Sequence, residues 1–347
     1  MSAEILEQFL KDDNIDFDPT RPSISVTAQA GHPFSVPWGR QVRCILAGLD
    51  SSRFKDAAGP WMAETPFDAD KALLGVVIPD ALGDGGLSTS GHYRDALSTS
   101  SSSNYDHLSA SLGVEIGYPC LSASVTAKYN KTVTEDKNGV KASRNSSCRA
   151  GRVILDRTPV LSAQAISILR SEDGEAKFRS RFGDFYICGF ALGADAGACM
   201  SASTESMTSE ESLEITVKVK ALFFEVEATY TETWSSASQS ASISFSGYST
   251  LDPSPEPCSL TLASGASPDD ASYARNQQII RDRATLYLAK VSTLQKQVWE
   301  SLQHLGLTHG AKLGLSDCTK LCRSGLVAEL LLAPYARLNQ YVECVGK

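Results

Sequence analysis

A chain of 347 residues that is 42% hydrophobic has enough apolar surface for one large domain and a smaller one. Its formal net charge of -8 excludes the broad basic surface that nucleic-acid phosphates require. The same charge works against an anionic leaflet, so a membrane would be met through a neutral lipid, a headgroup, a sterol or a protein.

The first residues, Met1-Ser2-Ala3-Glu4-Ile5-Leu6-Glu7, carry no basic stretch and do not read as a secretory signal. A location in the cytoplasm, or release by an unconventional route, is expected, with peripheral membrane attachment on activation. No apolar run of about 18 residues is present to span a bilayer as a helix. The nine cysteines are odd in number and scattered from Cys44 to Cys344, which fits a reducing compartment better than a disulfide framework.

Seven prolines from Pro19 to Pro79 forbid long helices and favour short strands, with 33–38 and 42–46 as candidates. Gly83-Asp84-Gly85-Gly86 reads as a turn; without a Lys-Ser/Thr ending it is not a phosphate loop. Over 97–129 the chain alternates, with Leu112, Val114, Ile116 and Tyr118 on one parity and Leu121, Ala123, Val125, Ala127 and Tyr129 on the other, the change falling at Pro119. The stretch 181–195 is an aromatic strand punctuated by glycines. Alternation returns in Leu213, Ile215, Val217 and Val219, opposed by Glu214, Thr216, Lys218 and Lys220. After Leu222-Phe223-Phe224 it moves to Val226, Ala228 and Tyr230, opposed by Glu225, Glu227, Thr229 and Thr231. Each run approaches the roughly 9–11 residues of a tilted transmembrane strand, although half-buried strands of any antiparallel sheet alternate in the same way. Ala241, Ile243 and Phe245 then alternate with serines.

A proline-rich linker over 251–257 precedes a helix expected over 273–305, capped by Asp269 or Asp270. Its single seam is Ile280, Ala284, Tyr287, Val291, Leu294, Val298, Leu302 and Leu305, and Gly306 stops it. A second helix is expected over 316–345, interrupted at Ala333-Pro334. It would carry Cys318 and Cys322, which lack the further ligands of a zinc site. The five histidines show no metal-ligand spacing and no Gly-x-Ser-x-Gly nucleophile motif occurs, so no enzyme, cofactor or metal is expected.

Three segments resemble one superfamily. Phe182-Gly183-Asp184-Phe185-Tyr186-Ile187 followed by Gly193-Ala194-Asp195 resembles the signature of the membrane attack complex/perforin superfamily, with Asp184 and Phe185 where that signature has Thr-His and Ala194 in place of a second Gly. Gly31-His32-Pro33-Phe34-Ser35 and Ser111-Leu112-Gly113-Val114, continuing to Ala127-Lys128-Tyr129-Asn130, resemble the perforin-like N-terminal domain of stonustoxin-type proteins. The resemblance implies an α+β fold with a bent, twisted antiparallel central sheet flanked by helical clusters. The corresponding division is a perforin-like domain over 1–250, a linker over 251–268 and a helical C-terminal region over 269–347.

It further implies a lipid membrane or membrane receptor as partner, self-association into a ring-like oligomer, and membrane-inserting residues Leu112, Val114, Ile116, Val125, Leu213, Ile215, Val217, Val219, Phe223, Phe224, Val226 and Tyr230. The signature and sheet-bend set is Phe182, Gly183, Asp184, Phe185, Gly189 and Gly193, whose glycines would let the sheet bend or a helix approach its backbone. Phe182, Phe185, Tyr186 and Phe190 would pack against a covering helix layer, and Asp195 would lie in a turn. A non-lytic binding protein that keeps the same fold stays open beside a pore former, because one fold hosts many functions.

Overall fold

The computed structural model describes residues 23–56, 58–68, 74–78, 90–98, 140–203, 242–252, 258–262 and 271–346. Among the described residues ten strands form one sheet in which every pairing is antiparallel, and helices pack on it, giving an α+β fold. Two long strands, β5 (Val140–Leu155) and β6 (Phe185–Ser203), pair with each other along most of their length and form the spine.

At one end the spine is flanked by β10 (Val327–Pro334) and β1 (Phe34–Pro37) on the β6 side, and by β3 (Leu74–Val77) and β9 (Lys312–Leu313) on the β5 side. At the other end the neighbours change to β4 (Ser90–Ser98) on β5, and to β7 (Ser242–Ser249) followed by β8 (Cys258–Leu262) on β6. The two-residue β2 (Gly48–Leu49) pairs with the start of β6. Strands β8, β9 and β10 follow residue 250, so the sheet draws on both sides of the expected boundary.

Local sequence explains the small helices. Ser23 caps α1 (Ile24–Gln29) and Ser162 caps α2 (Ala163–Leu169), each hydroxyl accepting a backbone N–H of the first turn. Helix α3 (Gly174–Phe182) ends at Gly183, whose φ of 84° is available to glycine at little cost. Helices α2, α3 and α7 (Asn339–Val345) pack together around a ring cluster in which Phe178 stands 5.2 Å from Tyr335 and 5.3 Å from Tyr341, centroid to centroid.

The expected long helix over 273–305 is two helices, α4 (Ala271–Ser292) and α5 (Leu294–His304). They break at Thr293, where the side chains of Ser292 and Thr293 both donate to the Ala289 carbonyl and compete with the helix ladder. Seven of the eight seam residues are buried; Leu305 is 37% exposed. Each fully buried aliphatic side chain contributes roughly 1.5–3 kcal/mol. Helix α4 lies along β6, β7 and β8, and α5 lies along β5 and β6.

Two other expectations are corrected. The stretch 42–46 is not a strand: Trp38 donates its indole N–H to Gln41 O at 2.6 Å, closing a turn, and Leu46 takes a φ of 73°. The stretch 316–345 is not one helix. Helix α6 (Asp317–Ser324) ends at Gly325 with φ 84°, and β10 follows between β1 and β6, leading into a 3-10 turn at Tyr335–Arg337 and then α7.

Candidate functional site

The centre of the sheet is a fork at which β6 exchanges partners. Residues 185–192 of β6 pair with β10, and residues 196–203 pair with β7. Opposite this exchange β5 has a register shift between Arg149 and Gly151, the kind of irregularity that bends a strand and strengthens its twist. Gly193 has no room for a side chain because the Cys148 carbonyl occupies the place of a Cβ. Its N–H donates to Leu326 O, while the Asp195 N–H donates to Thr250 Oγ1 and the Thr250 N–H to Asp195 O. Asp195 is therefore mid-strand and buried, not in a turn; the sequence expectation missed that β6 runs on for eight residues beyond it.

Arg149 closes the fork. Its Nη1 donates to Asp195 Oδ1 at 2.7 Å and its Nε to Glu329 Oε1 at 2.9 Å, bridging β6 and β10 from β5. Ser147 adds a 2.6 Å hydrogen bond to the same Asp195 oxygen. Ion pairs this enclosed gain little over an apolar replacement, yet removing one partner strands a charge at a cost of roughly 3–5 kcal/mol.

Beyond the fork the sheet has two unlike faces, fixed by register. One face carries Ala142, Ala198, Met200, Ala202, Ile243 and Phe245, and α4 lies on it, with the Tyr287 ring seated where a Cβ of Gly247 would be. The opposite face carries Lys141, Ser143, Asn145, Ser147, Asp195, Cys199, Ser201 and Ser246, all buried. Along it Tyr248 Oη donates to Asn145 Oδ1 at 3.0 Å and Asn145 Nδ2 donates to Ser143 Oγ at 3.0 Å. Burial pushes the Tyr248 hydroxyl well above its ordinary range, which keeps it a donor. Buried polar groups are tolerated only when hydrogen-bonded, so this face is specified residue by residue.

The four strands of this half begin or end together. Ser98, Lys141, Ser201 and Ser244 form one row across β4, β5, β6 and β7. The strand ends that flank 99–139 and those that flank 204–241 therefore stand side by side at one end of the sheet. Every expected membrane-inserting residue, from Leu112, Val114, Ile116 and Val125 to Leu213, Ile215, Val217, Val219, Phe223, Phe224, Val226 and Tyr230, belongs to these two stretches and lies outside the described residues.

The signature residues fall in two places. Phe182 to Phe185 form the junction from α3 into β6. There the Phe182 carbonyl accepts Tyr335 Oη at 3.3 Å, and Phe185 stands edge-on to Phe34 with centroids 4.9 Å apart. Asp184 accepts the Ser51 N–H at 2.7 Å and the Ser51 hydroxyl at 2.6 Å, and pairs with Arg179 at 3.0 Å. Gly189 is pressed against Val153 O and Gly193 against Cys148 O, so the close neighbour at both glycines is a strand and not a helix. Sequence reading missed Arg149, Asn145, Tyr248, Thr250 and Glu329; the one signal available was two arginines and an asparagine inside the serine-rich stretch 143–149. Among the described residues no group of three or more His, Cys, Asp or Glu side chains is placed to hold a metal, and no helix is long and apolar enough to cross a membrane.

No family model and no curated protein matches the chain. Among solved structures it is similar to wild-type pneumolysin at 10% identity, over 96% of this chain and 71% of that one, with a TM-score of 0.34. It is similar to the cytotoxin suilysin from Streptococcus suis at 9% identity, over 87% of this chain and 59% of that one, with a TM-score of 0.34. For the human-specific toxin intermedilysin the identity is 12%, over 66% of this chain and 52% of that one, with a TM-score of 0.31. The chain thus spans little more than half the length of intermedilysin and suilysin.

Proposed function

We propose that this chain is a perforin-like protein that binds a membrane, associates with copies of itself in a ring and inserts two β-hairpins, 99–139 and 204–241. The carrying observation joins the row of strand ends to the alternation in the sequence. Side chains on one strand return to the same side every second residue. Leu112, Val114, Ile116 and Tyr118 share parity with Ser98, and Leu121, Ala123, Val125, Ala127 and Tyr129 share parity with Lys141. Leu213, Ile215, Val217 and Val219 share parity with Ser201, and Val226, Ala228 and Tyr230 with Ser244.

Those four reference residues stand on one row and one side of the sheet. If all four strands were prolonged without a bulge, every apolar set would face the same way. Glu214, Lys218, Lys220, Glu225 and Glu227 would face the other. One apolar and one polar side is what a lipid-facing barrel wall needs. Each arm has roughly 20 residues, about 65 Å when extended, against a hydrocarbon core of roughly 30 Å.

Two strand edges favour self-association. Among the described residues β4 pairs only with β5, and β8 only with β7. Such edges can pair with another chain, and closing the ring removes them. The test is dye release from liposomes of varied lipid composition, with negative-stain imaging of the same samples. Leakage accompanied by rings is expected; membrane binding without either would favour the non-lytic binding protein.

A further inference from the structure

The turn after β1 presents a cation clamped by two indoles. The guanidinium carbon of Arg43 lies 4.7 Å from the Trp61 ring centroid and 5.8 Å from that of Trp38, and the two indoles meet edge to face with centroids 5.5 Å apart. Both sides of the clamp are fastened to the sheet. The backbone N–H of Trp38 donates to Ala328 O at 3.0 Å and that of Leu46 to Ile187 O at 2.9 Å, which pins the turn at each end. Trp61 bridges to Leu49, and the Met62 N–H donates to Gly48 O at 3.0 Å.

Other partly buried arginines are met by oxygen. Arg53 pairs with Asp56, Arg149 with Asp195 and Glu329, and Arg181 with Glu64, while Arg40 donates to Thr250 O at 3.1 Å. Among the described residues no oxygen accepts from the Arg43 side chain and no carboxylate pairs with it, although it is itself partly buried. The indole N–H of Trp61 also lacks an acceptor among the described residues, whereas that of Trp38 is taken by Gln41 O. Burial pushes the Arg43 guanidinium below its ordinary range. Enclosed donors without acceptors are costly, and a bound ion is one of the ways in which that cost is relieved. The guanidinium carries its five N–H groups in its own plane, so stacking on a ring does not consume them. The site is open to solvent, since Gln41 and Cys44 are exposed and Val42 is 39% exposed.

We propose that Arg43 and Trp61 form a binding site for a phosphate group, carried either by a soluble phosphate ester or by a lipid headgroup. The guanidinium fork takes two phosphate oxygens and the Trp61 indole N–H takes a third. A phosphate group has three acceptor oxygens to offer, where a carboxylate has two. The clamp holds the guanidinium in place before the ligand arrives, so little ordering remains to oppose binding. The site does not depend on the hairpins and stands whether or not they insert.

The full-length chain is titrated with inorganic phosphate by calorimetry, with chloride holding the ionic strength constant. Saturable binding with a Kd of roughly 1 mM is expected, and acetate should bind more weakly. Arg43→Met should weaken phosphate binding about tenfold or more, and Arg43→Lys, which keeps the charge without the fork, should also weaken it. Trp61→Phe keeps a ring under the guanidinium and loses only the N–H, so it serves as a folded probe if Arg43→Met is unstable; it too should weaken binding. Arg323→Met, at an exposed arginine of α6, should leave binding unchanged. A second arm uses phosphatidylcholine liposomes. Liposome binding that falls in Arg43→Met and on adding phosphate assigns the group to a lipid headgroup; phosphate binding with no effect of Arg43→Met on liposomes assigns it to a soluble ester. Binding that does not saturate, that acetate matches, or that survives unchanged in both Arg43→Lys and Trp61→Phe would overturn the proposal.

Discussion

Tyr248 and Asn145 meet across Gly197. The Tyr248 hydroxyl, on β7, reaches Asn145 Oδ1, on β5, at 3.0 Å, spanning the intervening β6 because residue 197 has no Cβ. A methyl group there would collide with both partners. We expect Gly197→Ala to cost about 2–4 kcal/mol, combining overpacking with a broken buried hydrogen bond. Tyr248→Phe, which loses the bond without the collision, should cost about 1–3 kcal/mol. Urea unfolding of the two variants checks the order; equal costs would mean that the space above Gly197 is not critical.

The fork makes a prediction about charge. Arg149→Met leaves the buried Asp195 carboxylate without its guanidinium and should cost roughly 3–5 kcal/mol. Adding Asp195→Asn to that variant should recover part of the loss, since the stranded charge is gone. Chemical denaturation of the single and double variants measures this. A double variant no more stable than the single one would show that the ion pair is not what Arg149 contributes.

The helical seam contains its own control. Val291 is buried and Leu305 is 37% exposed. Val291→Asp should therefore cost about 3–5 kcal/mol through lost burial and an unpaired charge, while Leu305→Asp stays within about 0.5 kcal/mol. Thermal melting of both variants decides it.

Stability should fall in alkali. Burial pushes the Tyr186 hydroxyl up to about 12 and those of Tyr248 and Tyr335 well above their ordinary range, whereas in the unfolded chain all three titrate near 10. Above pH 10 the unfolded state binds fewer protons than the folded one. The stabilisation is complete below pH 10 and is lost as pH rises from 10 through the folded values, by up to about 1.4 kcal/mol per pH unit for each group. Urea midpoints at pH 8, 10 and 11 test it, and Tyr186→Phe should flatten the decline.

What could be read in the sequence was local. The seam from Ile280 to Leu302 and the stop at Gly306 follow from helical spacing and one glycine, and the alternation of Ile243 and Phe245 with serines follows from strand spacing. Strand β10 was hidden because Val327-Ala328-Glu329-Leu330-Leu331-Leu332 is rich in helix formers; its place between β1 and β6 overrides that preference. The Arg149, Asp195 and Glu329 cluster was hidden for another reason. Its members lie 46 and 180 residues from Arg149, and only the strand pairing brings them together.

The proposed function rests on which way the side chains of 204–241 face once on a membrane. An environment-sensitive fluorescent amino acid, incorporated singly at 213, 214, 215, 216, 217 and 218, reads this directly on liposomes. Emission should rise and shift to the blue at 213, 215 and 217, and stay water-like at 214, 216 and 218. Equal responses at both parities, or none at any position under conditions where the protein binds the liposomes, would contradict insertion of this segment as a β-hairpin.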